Sequence, residues 1–192
     1  MRVDLDSVRI ALHGDDNPVT VAIVAAMVAN GALVAKDAVA DMPDILVISL
    51  PLLPTQGITV APIQRLARAT GAAMAARGHG RIIFVLSAAA AMPMRRHPDY
   101  SMQMAAMLTC MRTLAMQLGP AVLVNALGVG AIGEPLVAGD PAMIGHASVG
   151  RAGTLTEVAD TALLLCDPLN SYLTGQMLSV DGGWSAGYGR NF

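Results

Sequence analysis

The chain is predicted to fold as a doubly wound α/β domain, a parallel sheet held between two layers of helices. Three observations carry this. Strand-length apolar runs alternate with helix-length stretches throughout the 192 residues. Several of the runs are apolar without a break, as strands covered on both faces must be. Glycine or proline punctuates nearly every exchange.

In chain order, Val8–Leu12 reads as a first strand ending at His13-Gly14. Pro18–Ala29 is helical, with proline in the first turn where its missing N–H costs nothing, and Asn30-Gly31 stops it. Ala32–Ala35 is a second strand, expected to be buried, and Lys36–Pro43 a short polar link. Asp44–Leu50 is a third strand closed by Pro51 and Pro54. Thr59–Arg77 is a long helix ending at Gly78-His79-Gly80, followed by the strand Arg81–Ser87. Ala88–Asp99 reads as a loop, Tyr100–Leu118 as a helix ended by Gly119-Pro120, and Val122–Asn125 as a strand before the glycine-rich Gly128–Gly133. Thr156–Cys166 is a helix, capped by Thr154 or Thr156 with Glu157 in its first turn, and Leu178–Val180 is the last strand. No repeat, low-complexity segment or linker divides the chain, so residues 1–192 read as a single domain.

Composition narrows the function classes. At 54% hydrophobic and 14% charged, the chain has ample apolar surface to bury and is not disordered. Aromatics are 3%, so the core is aliphatic, with 13 methionines as adaptable filler. A net charge of −2 gives no basic face for nucleic acid. The one basic cluster, Arg95-Arg96-His97, reads as a solvated loop. Mean hydropathy is +0.55, but the longest uncharged stretches are broken by Asn30-Gly31 and by Gly119-Pro120, so no membrane span is expected. Cys110 and Cys166 lie in apolar helical patterns and read as buried free thiols. The N-terminus has acids where a signal peptide is basic, and a cytoplasmic location is expected.

Five segments together resemble the short-chain dehydrogenase/reductase family. Arg81–Ser87 looks like the strand ending in that family's active-site serine, and Tyr100 follows thirteen residues later, a spacing the family favours. Val124-Asn125-Ala126-Leu127-Gly128-Val129-Gly130 resembles the strand and turn passing beside nicotinamide. Gly150-Arg151 with Thr156-Glu157-Val158-Ala159 resembles the approach to the last helix, and Gly175–Gly183, ending Asp181-Gly182-Gly183, resembles the closing strand. The likeness runs from about Asp44 to Trp184. It implies a three-layer Rossmann-like doubly wound parallel sheet, shortened in the N-terminal cofactor-binding half (residues 1–50), with 51–192 the well-matched part.

The departures from that pattern fall on the cofactor side. Of the three glycines in the family's turn after the first strand, Gly14 is kept, while the others become Pro18 and Thr20. Pro18 removes an N–H that would face an anion. Asp15 and Asp16 add negative charge, which at ~4–6 Å and partial desolvation opposes phosphate by about a few kcal/mol. The family's helix, strand and helix after the second strand are missing, leaving Lys36–Pro43 and, in it, Asp37 as a poor candidate for the ribose-binding acid. The lysine expected four residues after the tyrosine is Met104. Without its charge a tyrosine is a poor base at neutral pH. Ile48-Ser49-Leu50-Pro51 replaces an Asn-Asn-Ala-Gly run, Val129-Gly130 replaces a Pro-Gly turn, and Glu134 replaces a threonine that would contact the carboxamide.

The resemblance and its departures together imply a protein that has lost NAD(P) and has no cofactor, a non-catalytic subunit. It would assemble with itself or with an intact paralogue through helices 59–77 and 100–118, the second carrying Met102, Met104, Met107, Met111 and Met116. A C-terminal tail with Trp184, Tyr188 and Phe192 would add to that interface. Two readings stay open beside it. One is a cofactor-independent isomerase, dehydratase or lyase acting on an apolar carbonyl compound under Gly133–Val149, using Ser87 and Tyr100 with His97, His13 or Glu134 as base. The other is a weak NAD(P)-dependent oxidoreductase. No metal site is expected, and Asp15 and Asp16 read as turn chemistry.

Overall fold

The computed structural model describes residues 1–35, 42–54 and 58–187. Six parallel strands form one sheet in the order β2-β1-β3-β4-β5-β6, where β1 is Arg9–Gly14, β2 Leu33–Val34, β3 Ile45–Ser49, β4 Gly80–Ser87, β5 Val122–Val129 and β6 Met177–Val180. The helices are α1 (Pro18–Ala29), α2 (Val60–Arg77), α3 (Pro98–Leu118), α4 (Pro141–His146) and α5 (Leu155–Cys166).

Strand alternation sorts the core into two layers. Leu46 and Ile48 of β3, and Ile82, Phe84 and Leu86 of β4, join α2 and α3 in one cluster. Ile45, Val47, Ile83 and Val85 point the other way, against α1 and α5. Phe84 is fully buried at the centre of the sheet. Truncating such a side chain to alanine costs about 3–5 kcal/mol.

Helix ends follow local chemistry. Asn17 caps α1, accepting from Thr20 N at 3.1 Å. Thr154 and Glu157 form a reciprocal capping box at the start of α5, and Arg151 clamps Glu157 through both oxygens at 3.1 and 2.6 Å.

Four elements differ from the sequence reading. Helix α3 starts at Pro98 rather than Tyr100, because Pro98 and Asp99 suit a first turn. Strand β5 runs on to Val129, carrying Gly128 within it. The stretch between Gly133 and Thr154, to which the sequence reading assigned no element, holds α4, capped by Asp140 and opened by Pro141. Finally, β2 is an exposed edge, with Leu33 57% and Val34 55% exposed, instead of a buried strand. Among the described residues no strand lies outside it. Most of the Lys36–Pro43 link, Asp37 included, lies outside the described residues.

Cys110 and Cys166 are free and buried. Among the described residues no helix is long and apolar enough to cross a membrane.

Candidate functional site

Parallel strands bring their carboxyl ends to one rim of the sheet, where sites in such folds are built. At the end of β1, Gly14 has φ +106°, and a Cβ there would lie 2.0 Å from the Ser49 carbonyl oxygen at the end of β3. Asp15 N donates to that same oxygen at 2.9 Å. Only glycine fits so close an approach in that conformation.

The turn beyond it is closed on itself. Asn17 Nδ2 donates to Asp15 Oδ2 at 2.9 Å and to Ser49 Oγ at 3.2 Å. Thr20 Oγ1 and Ser49 Oγ lie 2.7 Å apart, both residues buried. In the first turn of α1 the Thr20 and Val21 amides are bonded to Asn17, and Pro18 has none. Asn17, missed in the sequence reading, is the organiser; its position before a helix-opening proline was the available signal. Asp16 is exposed.

Ser87 and Tyr100 are brought together at the end of β4. The Ser87 hydroxyl accepts from Ala89 N at 3.2 Å. Tyr100 Oη donates to the Pro51 carbonyl at 2.8 Å. Burial pushes the Tyr100 phenol up to about 12; the Ser87 hydroxyl beside it pulls down and the Asp15 carboxylate pushes further up. Met104, one turn along, is fully buried among Met107, Leu108 and Met111. A thioether therefore stands where a cation would have favoured tyrosinate, and the nearby charge has the opposite sign.

The other candidates fall elsewhere. Asn125 is buried and ties β5 to the β6 segment, donating to Leu173 O at 2.8 Å and accepting from Gln176 N at 3.1 Å. Glu134 is exposed, and His13 sits partly buried within β1. His97 lies at the start of α3, its Nε2 3.1 Å from Asp140 Oδ2. The Ala142 amide on Asp140 Oδ1 is the main reason its carboxyl titrates below the usual range, with His97 and Arg96 adding to it. This pairing across 43 residues had no sequence signal.

A cavity of about 410 Å³ opens between the loop before α3 and helix α4, lined by Met92, Met94, Arg95, Arg96, Asp140, Met143, His146 and Trp184 among others. Neither Ser87 nor Tyr100 lines it. Trp184 packs against the small cluster formed by Ala88, Ala131 and Met143, while Tyr188 and Phe192 of the expected tail lie outside the described residues. Among the described residues no cluster of three or more His, Cys, Asp or Glu could hold a metal.

This sheet order, with a serine and a tyrosine meeting beyond β4, defines the class as a short-chain dehydrogenase/reductase-type protein. Residues 53–185 match the family model described as Enoyl-(Acyl carrier protein) reductase, and the chain belongs to this short-chain dehydrogenase/reductase family. It is 34% identical over 139 residues to the short-chain reductase protein NovJ of Streptomyces niveus, across 66% of this chain and 53% of that one. It is 31% identical over 134 residues to an NAD-dependent glycerol dehydrogenase of Listeria innocua, across 62% and 50%. The chain thus spans about half the length of the curated relatives it matches. A solved dehalogenation enzyme superposes with a TM-score of 0.78 at 22% identity, covering 94% of this chain and 99% of that one, which shows the fold.

The expectation of no nicotinamide cofactor does not stand. The matched relatives are reductases and dehydrogenases, one of them NAD-dependent by name. The sequence argument rested on the turn, the missing segment after the second strand and Met104, and the relatives matched along the rest of the chain point the other way. The described residues fit a dinucleotide in part. Gly14 offers bare backbone at the rim, and Ser87 and Tyr100 stand at the far side of it. The amides at the start of α1 are largely taken up internally.

Proposed function

We propose that this chain is a catalytically attenuated oxidoreductase-family subunit, single-domain and cytoplasmic, that takes a nicotinamide dinucleotide. The cofactor class comes from its relatives, and the two buried free thiols suit a reducing compartment. A bound nicotinamide supplies or accepts hydride; the chain's own part is to position a carbonyl or hydroxyl and move a proton.

The observation that carries the reading is the Tyr100 phenol, held neutral by burial, with its proton given to Pro51 O and a methionine at the cationic position. Ser87 and Tyr100 can still donate hydrogen bonds to a substrate oxygen, but Tyr100 is a weak proton relay at neutral pH. Assembly through α2 and α3, with a second copy or a full-length relative, is supported by the outer face of α3. There Met102 is 65% and Met116 77% exposed beside Ala105, Ala106 and Thr109.

Reduction of a carbonyl panel with NADH and NADPH tests the reading. Turnover on the order of 10²–10⁴ below a full-length relative assayed alongside is expected; equal turnover overturns it. Light scattering tests assembly: Met102→Glu with Met116→Glu is expected to yield monomer, and an unchanged mass removes the proposed interface. A second reading, a fully working oxidoreductase, is favoured by the adjacency of Ser87 and Tyr100 and predicts normal turnover abolished by Tyr100→Phe.

A further inference from the structure

We propose that a second cavity, at the amino ends of the strands, binds a short-chain carboxylate through Arg81. This is the end of the sheet opposite the Ser87–Tyr100 pair. Arg81 and Ser87 lie six residues apart on the same strand, β4, so about 20 Å of extended chain separates them. The cavity has a volume of about 300 Å³, the lower end of the range for small-molecule sites.

Arg81 reaches from the start of β4 to the end of α5. Its Nη1 donates to Leu165 O at 3.2 Å and to Asn170 O at 3.0 Å, so the guanidinium is fixed before any ligand arrives. Among the described residues it forms no ion pair, and Nε and Nη2 make no hydrogen bond. Neither nitrogen is shut away from solvent, and Arg81 lines the cavity. Nε and Nη2 form one edge of the guanidinium, the edge that meets the two oxygens of a carboxylate by parallel hydrogen bonds. Burial is the main reason this guanidinium titrates below its ordinary value, with Cys166 and Asp167 pulling the other way. A cation partly stripped of water gains from a counter-ion.

The acids nearby are engaged elsewhere. Asp44 also lines the cavity, but Arg77 Nη2 lies 3.0 Å from its Oδ1 and Arg9 N donates to its Oδ2 at 2.8 Å. His79 Nδ1 stands 4.0 Å from the same Oδ1. Asp167 accepts from Leu169 N at 2.9 Å and does not pair with Arg81. The rest of the lining is largely apolar, with Val8, Pro120, Ala121, Leu123 and Pro168 forming a ledge for a short alkyl chain. An anion alone would leave that ledge unused.

Calorimetric titration of the full chain with hexanoate, hexanol, hexylamine and inorganic phosphate tests this. Saturable heat with hexanoate is expected, with hexanol weaker and hexylamine inert. Arg81→Met is expected to weaken hexanoate roughly tenfold or more, the loss of one charge-assisted contact. Because Arg81 also ties down the end of α5, a second variant leaves it in place. Ser171 is exposed and lines the same cavity, so Ser171→Asp offers Arg81 an internal carboxylate and is expected to weaken hexanoate as well. An unchanged melting temperature confirms that this variant is folded. No heat up to about 10 mM hexanoate overturns the proposal. So does hexanol or phosphate binding as tightly as hexanoate, or equal hexanoate affinity in folded Ser171→Asp. The single tryptophan, Trp184, lines the other cavity, so a Trp184 emission change that tracks the hexanoate heat also overturns it. None of these readouts depends on nicotinamide or turnover, so the outcome stands apart from that of the function proposed above.

Discussion

Titration of Tyr100 tests the electrostatics of the site most directly. Its phenol rises from 10.0 to about 12, chiefly through burial. At pH 7 this leaves about one molecule in 10⁵ as tyrosinate. The folded chain holds this proton more tightly than the unfolded chain does, so the stability is fully present below pH 10 and is lost as pH rises from 10 to about 12. The whole loss is on the order of 3 kcal/mol, and about half of it has gone by pH 11. Urea unfolding of wild type and Tyr100→Phe at pH 8 and pH 11 measures it. The variant forgoes the bond to Pro51 O, about 1 kcal/mol at pH 8, but its stability falls less between the two pH values. Cys166, pushed up to about 12 by burial, weakens both proteins equally at high pH and cancels in the difference. The difference absorbance of the two proteins near the tyrosinate band gives the midpoint itself. A midpoint at or below 10 refutes the reasoning, since burial then does not hold the proton.

Three further outcomes are expected. Gly14→Ala forces φ +106° and a 2.0 Å clash with Ser49 O, and by thermal melting is expected to destabilise by about 2–5 kcal/mol; a loss below about 0.5 kcal/mol contradicts the close approach. Glu157 is held at about 2, first by Arg151 and then by the Thr154 amide, so its contribution is present above 4.5 and lost as pH falls from there to about 2. Glu157→Gln is expected to flatten the acid limb of a stability profile, and an unchanged limb counts against the clamp. Cys166, 1% exposed, is expected to resist a thiol reagent until the chain unfolds; fast labelling of the native protein contradicts its burial.

Much of the fold was legible because it rests on local pattern. Unbroken apolar runs gave β3 and β4, and Asn30-Gly31 and Gly78 marked helix ends as written. The Ser87–Tyr100 pair was legible through the family resemblance, in which Arg81–Ser87 and the spacing to Tyr100 match together. What stayed hidden depends on tertiary partners. Helix α4 is six residues long and too short for periodicity to register, although Asp140-Pro141 carried its cap. Burial of Leu33 and Val34 was misjudged because composition does not say which strand ends a sheet. The Asn17–Ser49–Thr20 network and the His97–Asp140 contact join residues far apart in sequence, and the Arg95–Arg96 cavity wall needs α4 opposite it. The cofactor inference, drawn from the turn, the shortened segment after β2 and Met104 together, is overturned by relatives that are reductases and dehydrogenases.

The exposed edge at β2 has a consequence for how this protein behaves in a crowded solution. An open strand with two bare aliphatic side chains invites recruitment of another molecule's strand, the route to polymers. Here that invitation is two residues long, Leu33 and Val34, against a typical strand of about 5–6 residues. So short a template offers a newcomer too few backbone partners to repay its ordering. Among the described residues it is brevity that guards this side of the sheet, and any change that lengthens β2 trades away resistance to aggregation.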